Sequence, residues 1–344
     1  MTFQESSHPQ PIPLATLIRD VGTRIEGSWL APALDEFRGE LERKGIRRLR
    51  PRFYLSTEWG VPFDTTAIAI PFYLARPDLI ELHAEHAGHL EGATRPELLR
   101  YLRHEMGHAV NYGYKLYERE DWTRAFGSID RPYEEEYRPE PFSPRFVNHL
   151  PGWYAQKHPD EDWAETFAVW MTPGRDWRAE YAGRPEALAK LRFCDRVMAE
   201  VRDRDPVVTD QTLDEPAEQL TASLGEYFMG YAAGPEELPP GLDGSLRSVF
   251  EEKGAAADAP AEAPRRPASH LIRRLERELT ADVYRWTGHS PVRTRALLWR
   301  MAERAERLRL VYPDSRELET AVALTTLITA LAMNHVHTGS YAPN

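Results

Sequence analysis

The chain has 344 residues, 42% of them apolar and 28% charged, with a formal net charge of −11. That length suits about two domains and an ample core, and the acidic balance argues against general binding to nucleic acid or an anionic membrane. The single cysteine, Cys194, rules out an intrachain disulfide and the cysteine-rich zinc sites.

In chain order, Pro13 to Arg50 reads as mostly helical, with Leu14, Leu17 and Ile18, then Leu34, Phe37 and Leu41, at helical spacing. The first 14 residues are polar and Pro-rich and lack the pattern of a signal peptide. Arg52–Ser56 and Ala67–Pro71 are β-prone runs around a Gly60-Val-Pro62 turn signal and predict a small sheet. Thr94-Arg-Pro-Glu97 is a capping-box signature, so a helix should run from about Thr94 to Tyr112 and stop at Gly113. Glu118 to Leu150 is rich in Pro, Tyr and charge without a period, which predicts a long surface loop. Pro159 opens a second helix that ends before Pro173, and a third spans about Arg184 to Asp203.

Residues 206–253 read as an irregular connecting segment, and 254–267, rich in Ala and Pro, as a linker. Residues 268–344 read as an Arg-rich domain of three helices, about His270–Trp286, Pro291–Val311 and Ser315–Asn334. The excess positive charge of this region suggests docking on an acidic protein partner, set against the plainer reading of solvated helix faces. The longest apolar stretch, Ala321 to Met333, is too short to span a bilayer. A cytoplasmic protein without a membrane segment is expected.

The residues that carry chemistry are His104-Glu105-x-x-His108. On a helix, residues four apart share a face, so two imidazoles can grip one zinc ion. Glu105 is turned by roughly 100° from His104 and can reach a metal-activated water without ligating the metal. Small residues, Gly107 and Ala109, permit close packing around the motif. The metzincin continuation is absent, because Asn111 and Tyr114 stand where that class has Gly and His. A third ligand must come from elsewhere. Glu161 and Glu165 lie four apart on the second helix, so one can ligate while the other hydrogen-bonds a ligand imidazole. The bland alternative is that Asp160, Glu161 and Asp162 simply favour a helix N-terminus.

His83, His86 and His89, three apart, spread too widely on a helix to hold one ion and read as a solvated segment. His335 and His337 read as surface histidines, and Cys194 as a small core residue.

HEMGHAV followed by HPDEDWAETFAVWM resembles the gluzincin metallopeptidases, in particular bacterial zinc-binding metallopeptidases whose site is similar to the protease domain of anthrax lethal factor. The similarity covers roughly residues 52–201. It implies an α+β, zincin-like catalytic domain over residues 1–205, with a small sheet and active-site helices, followed by the mostly helical C-terminal region. It implies Zn2+ held by His104, His108 and Glu161, with Glu165 behind them, Glu105 as general base, and Tyr154, seven residues before Glu161, as oxyanion donor. A peptide or protein substrate is then expected. The alternatives are a non-proteolytic zinc-containing binding protein and a hydrolase of a specialised non-protein amide.

Overall fold

The computed structural model describes residues 12–134, 137–231, 241–252 and 264–341. They form a mixed α+β protein, mostly helical, with two small sheets. Two compact units emerge. Of the described residues, the first takes 12–134, 143–150 and 155–231, and the second takes 137–142, 151–154, 241–252 and 264–341.

In the first unit, the region before residue 50 yields one full helix, α1 (Leu30–Lys44), preceded by a single 3-10 turn. Its apolar face of Leu30, Leu34, Phe37 and Leu41 is buried in the core. Strands β1 (Arg52–Ser56) and β2 (Ala67–Pro71) pair in parallel. The Gly60 carbonyl accepts from the Ala69 N–H, closing part of the far side of β2. All five β2 residues are buried, as befits a strand covered on both faces.

A helix α2 (Pro77–Ala87) follows and overturns one expectation. His83 is not solvated: it is 1% exposed, and its ring stacks on Tyr73 at 3.7 Å. Burial, helped by His89 and His86, pushes its pKa down to about 3.

Helix α3 (Arg95–Gly113) starts where its capping box places it, with the Thr94 N–H and Glu97 carboxylate joined. The expected loop after it contains a short helix, α4 (Glu120–Phe126), whose Trp122 is fully buried. Helix α5 (Pro159–Met171) is buried at all 13 positions. Helices α6 (Trp177–Glu180) and α7 (Pro185–Val201) complete this layer, with Cys194 in the core.

The first unit does not end at residue 205. The Val207 and Val208 N–H groups both donate to the Gly113 carbonyl, and the Thr66 N–H donates to the Asp210 carbonyl. The Ser56 hydroxyl donates to the Glu215 carbonyl at 2.9 Å, and the Leu224 N–H to that of Thr16. Helix α8 (Leu224–Met229) then packs Leu224 and Phe228 into the same core. The low apolar content of 206–223 hid this, because backbone hydrogen bonds do the anchoring.

The second unit holds α9 (Leu242–Val249), β3 (Glu251–Glu252), β4 (Arg265–Pro267), α10 (Ala268–Arg274), α11 (Glu276–Thr287), α12 (Pro291–Arg307), β5 (Leu310–Pro313) and α13 (Glu317–Thr338). The first C-terminal helix is therefore two, and a three-stranded antiparallel sheet in the order β3-β5-β4 was not foreseen. The last residues of the expected linker form β4; residues 253–263 lie outside the described residues. Several tail arginines have partners within the unit, among them Arg304 with Asp243, Arg295 with Glu276, Arg273 with Glu306 and Arg274 with Glu317. His335 is not a plain surface residue either, since its ring stacks on Tyr341. Among the described residues, no helix is long and apolar enough to cross a membrane.

Candidate metal centre

Two helices build the site. They cross closely because α3 carries glycine at the crossing point: a Cβ at Gly107 would lie 2.7 Å from the Ala164 Cα of α5. The Trp163 indole N–H donates to the Gly107 carbonyl at 2.8 Å and pins the same crossing. His104 and His108 of α3 thereby face Glu161 and Glu165 of α5.

Burying the whole of α5 takes four carboxylates out of water, so each needs a partner. Asp160 accepts from His108 Nδ1 at 2.9 Å, from Asn111 Nδ2 at 2.7 Å and from the Tyr112 hydroxyl. Asp162 pairs with Lys190 at 2.5 Å. Glu165 accepts from His104 Nδ1 at 3.0 Å and from the backbone N–H groups of His149 and Leu150, both at 2.9 Å. Glu161 Oε1 accepts from the Tyr133 hydroxyl at 2.7 Å. Glu161 Oε2 is buried without a hydrogen-bond partner.

That orphaned oxygen lies 3.0 Å from His104 Nε2 and 3.3 Å from His108 Nε2, and the two Nε2 atoms are 3.2 Å apart. An ionised carboxylate only accepts hydrogen bonds. Each Nδ1 must therefore carry the proton it donates, so that in the neutral imidazole the lone pair lies on Nε2. Three electron pairs then converge on one buried point, where a cation would satisfy them together. Without a metal, protons on the imidazoles can fill that role. Burial alone would lower the His104 pKa, but Glu161 and Glu165 outweigh it and raise it to about 9. His108 also rises, with Asp160 and Glu161 overcoming its burial. The opposite holds for Glu161, whose buried carboxyl is held well below the usual range by His108 and His104.

The spacing suits a divalent metal. Tetrahedral zinc with ligand bonds near 2.0–2.1 Å separates its ligand atoms by roughly 3.3 Å, and the three observed separations fall at or just below that. Among the described residues, His104, His108 and Glu161 are the group that could hold a metal ion.

Glu105, next to His104, is 4% exposed. Burial pushes its pKa up to about 7 against the pull of His104 and His108.

The structure thus brings together His104, Glu105, His108, Glu161 and Glu165. Tyr154 falls in the 151–154 segment of the second unit, not in the unit that holds the cluster. Sequence reasoning missed Asp160, which orients His108 as Glu165 orients His104. A signal was present: two histidines placed to ligate a metal call for two orienting acceptors, and Asp160 immediately precedes Glu161. Tyr112, Asn111 and Tyr133 were also missed. Tyr112 and Asn111 follow His108 by four and three residues on the same face of α3. Tyr133 lies in an aperiodic stretch that gives no such signal.

Comparison with known proteins gave no match to any family model, any curated protein or any solved structure.

Proposed function

We propose that the chain is a zinc-dependent hydrolase of the gluzincin type that cleaves a peptide or similar amide bond. The observation that carries this reading is the convergence of His104 Nε2, His108 Nε2 and Glu161 Oε2 within 3.0–3.3 Å of one another, with each imidazole oriented from behind by its own carboxylate. Three protein ligands beside a buried glutamate fit a catalytic site with an open position; a structural zinc site closes with four.

When bound, the ion supplies Lewis acidity that lowers the pKa of a water to about 7 and polarises a carbonyl. The chain supplies the rest. Asp160 and Glu165 hold the two imidazoles in the tautomer that presents Nε2 forward. Glu105 takes a proton from the attacking water as oxygen bonds to the carbonyl carbon. It then delivers that proton to the amine nitrogen as the C–N bond breaks. A buried carboxyl beside the proposed ligands is placed to do both. The resemblance alone supports Tyr154 as a hydroxyl donor to the developing oxyanion.

The test is metal content and cleavage of a diverse peptide library by the native chain and by Glu105→Gln. One zinc per chain in both, with chelator-sensitive cleavage lost in the variant, is the expected result. Cleavage that survives Glu105→Gln would refute the mechanism. Zinc retained without cleavage by the native chain would favour a specialised amide or a non-catalytic role. Tyr154→Phe in the same assay should lose turnover but keep its metal; unchanged turnover removes that role.

A further inference from the structure

Glu161 has two carboxylate oxygens, and the structure gives them different surroundings. Oε1 is taken by the Tyr133 hydroxyl at 2.7 Å, while Oε2 faces both Nε2 atoms with no hydrogen-bond partner. Tyr133 comes from an irregular segment and is 48% exposed, so packing alone does not fix it there. Its ring has two neighbours. The Lys157 ammonium lies 4.4 Å from the ring centroid, and His158, whose own Nε2 meets the Arg131 carbonyl, packs its ring at 5.3 Å. A cation over a phenol ring draws electron density from the hydroxyl and makes it a better donor.

From this arrangement we propose that Tyr133 is a positioning residue that holds Glu161 as a one-oxygen ligand, so that the centre selects a small tetrahedral cation over a larger one of higher coordination. The inference rests on the metal-centre reading above and deepens it. A carboxylate with both oxygens free can bind in bidentate fashion, as it commonly does to hard cations such as Ca2+ with six to eight oxygen ligands. A phenol on Oε1 withdraws that second oxygen and fixes the carboxylate plane. What remains is two imidazole nitrogens and one oxygen, a donor set and edge length that suit zinc. Tyr133 acts through Glu161 and needs no contact with substrate.

The test compares the native chain with Tyr133→Phe, which removes one oxygen from a half-exposed ring. Co2+ serves as the spectroscopic probe, and chelator competition gives the zinc affinity. The native chain should bind one Co2+ with the strong visible absorption of a four-coordinate ion. Tyr133→Phe should bind zinc more weakly by about 10–100-fold, the usual effect of losing an outer hydrogen bond to a ligand. Its Co2+ bands should weaken towards those of a five- or six-coordinate ion. A purely structural role for the hydroxyl would not change the cobalt spectrum. Native metal uptake with an unchanged spectrum and zinc affinity in Tyr133→Phe would overturn this inference and leave the metal centre standing. Failure of the native chain to bind either ion would overturn both.

Discussion

Replacing Gly107 with alanine should damage the metal centre more than the fold. The added Cβ would lie 2.7 Å from the Ala164 Cα, 3.1 Å from its carbonyl oxygen and 3.2 Å from its Cβ. Ordinary carbon contacts lie near 3.5–4.0 Å, so the helices must part by roughly 0.8 Å or more. Two of these atoms are backbone, and no side-chain rotation relieves them. Overpacking of this kind costs about 1–3 kcal/mol. Exchanging Gly for Ala inside a helix returns about 1 kcal/mol. The net loss of stability is therefore small, roughly 0–2 kcal/mol. The ligands fare worse. Glu161 lies one helical turn before Ala164, and its contacts to the imidazoles, 3.0 and 3.3 Å, would open by a similar amount. That exceeds the edge of a zinc tetrahedron, and zinc affinity should fall by at least the roughly 10–100-fold seen when a ligand loses its support. Chelator competition measures the affinity, and denaturant unfolding of the metal-free protein measures the stability. Gly113→Ala is the control. Its Cβ would meet the Leu49 Cδ1, the end of a flexible side chain that can turn aside, so zinc affinity should hold. Native zinc affinity in Gly107→Ala would refute the claim that this crossing sets the ligand geometry.

Two further outcomes are expected. Glu161→Gln should lose more zinc than Glu165→Gln, because Glu161 supplies a converging oxygen while Glu165 orients His104; the reverse order, read by metal analysis after dialysis, would exchange their roles. His83 should make the fold acid-sensitive. Its folded pKa of about 3 lies below the ordinary 6.5, so the unfolded chain binds a proton that the folded chain excludes. Its contribution is complete above pH 6.5 and is lost progressively as pH falls towards 3, by about 2 kcal/mol at pH 5. His83→Phe keeps a ring on Tyr73 and removes the titration. Denaturant midpoints at pH 7 and pH 5 should therefore differ less in the variant than in the native chain; equal losses would return the acid sensitivity to other groups.

What the sequence reveals depends on the reach of the interaction. The proposed ligands on α3 are legible because one helix with a capping box at Thr94 fixes their relation through its own period. Glu161 and Glu165 are legible for the same reason once Pro159 marks the start of α5. The burial of α5 is not, since Asp160, Glu161 and Asp162 look like a solvated first turn until His108, Tyr133 and Lys190 meet them from other elements. His83 was misread in the same way: its spacing to His86 and His89 is visible along the chain, but the Tyr73 ring that covers it is not. The parallel pairing of β1 and β2 was hidden too. A ten-residue connection suggests a hairpin, but this one places Gly60 beside β2.

The segment after residue 205 bears on how the protein could be divided for experiment. A fragment cut there would keep every proposed ligand yet lose the amides of Val207 and Val208, which satisfy the Gly113 carbonyl at the end of α3, and the Asp210 carbonyl that receives the Thr66 N–H. The helix bearing both histidines would then end on an unsatisfied group, and the apolar bed of Leu224 and Phe228 would lie open to water. A piece meant for metal titration would therefore have to extend at least to Tyr231, and an inactive shorter fragment would report on a missing brace rather than on the chemistry of the site.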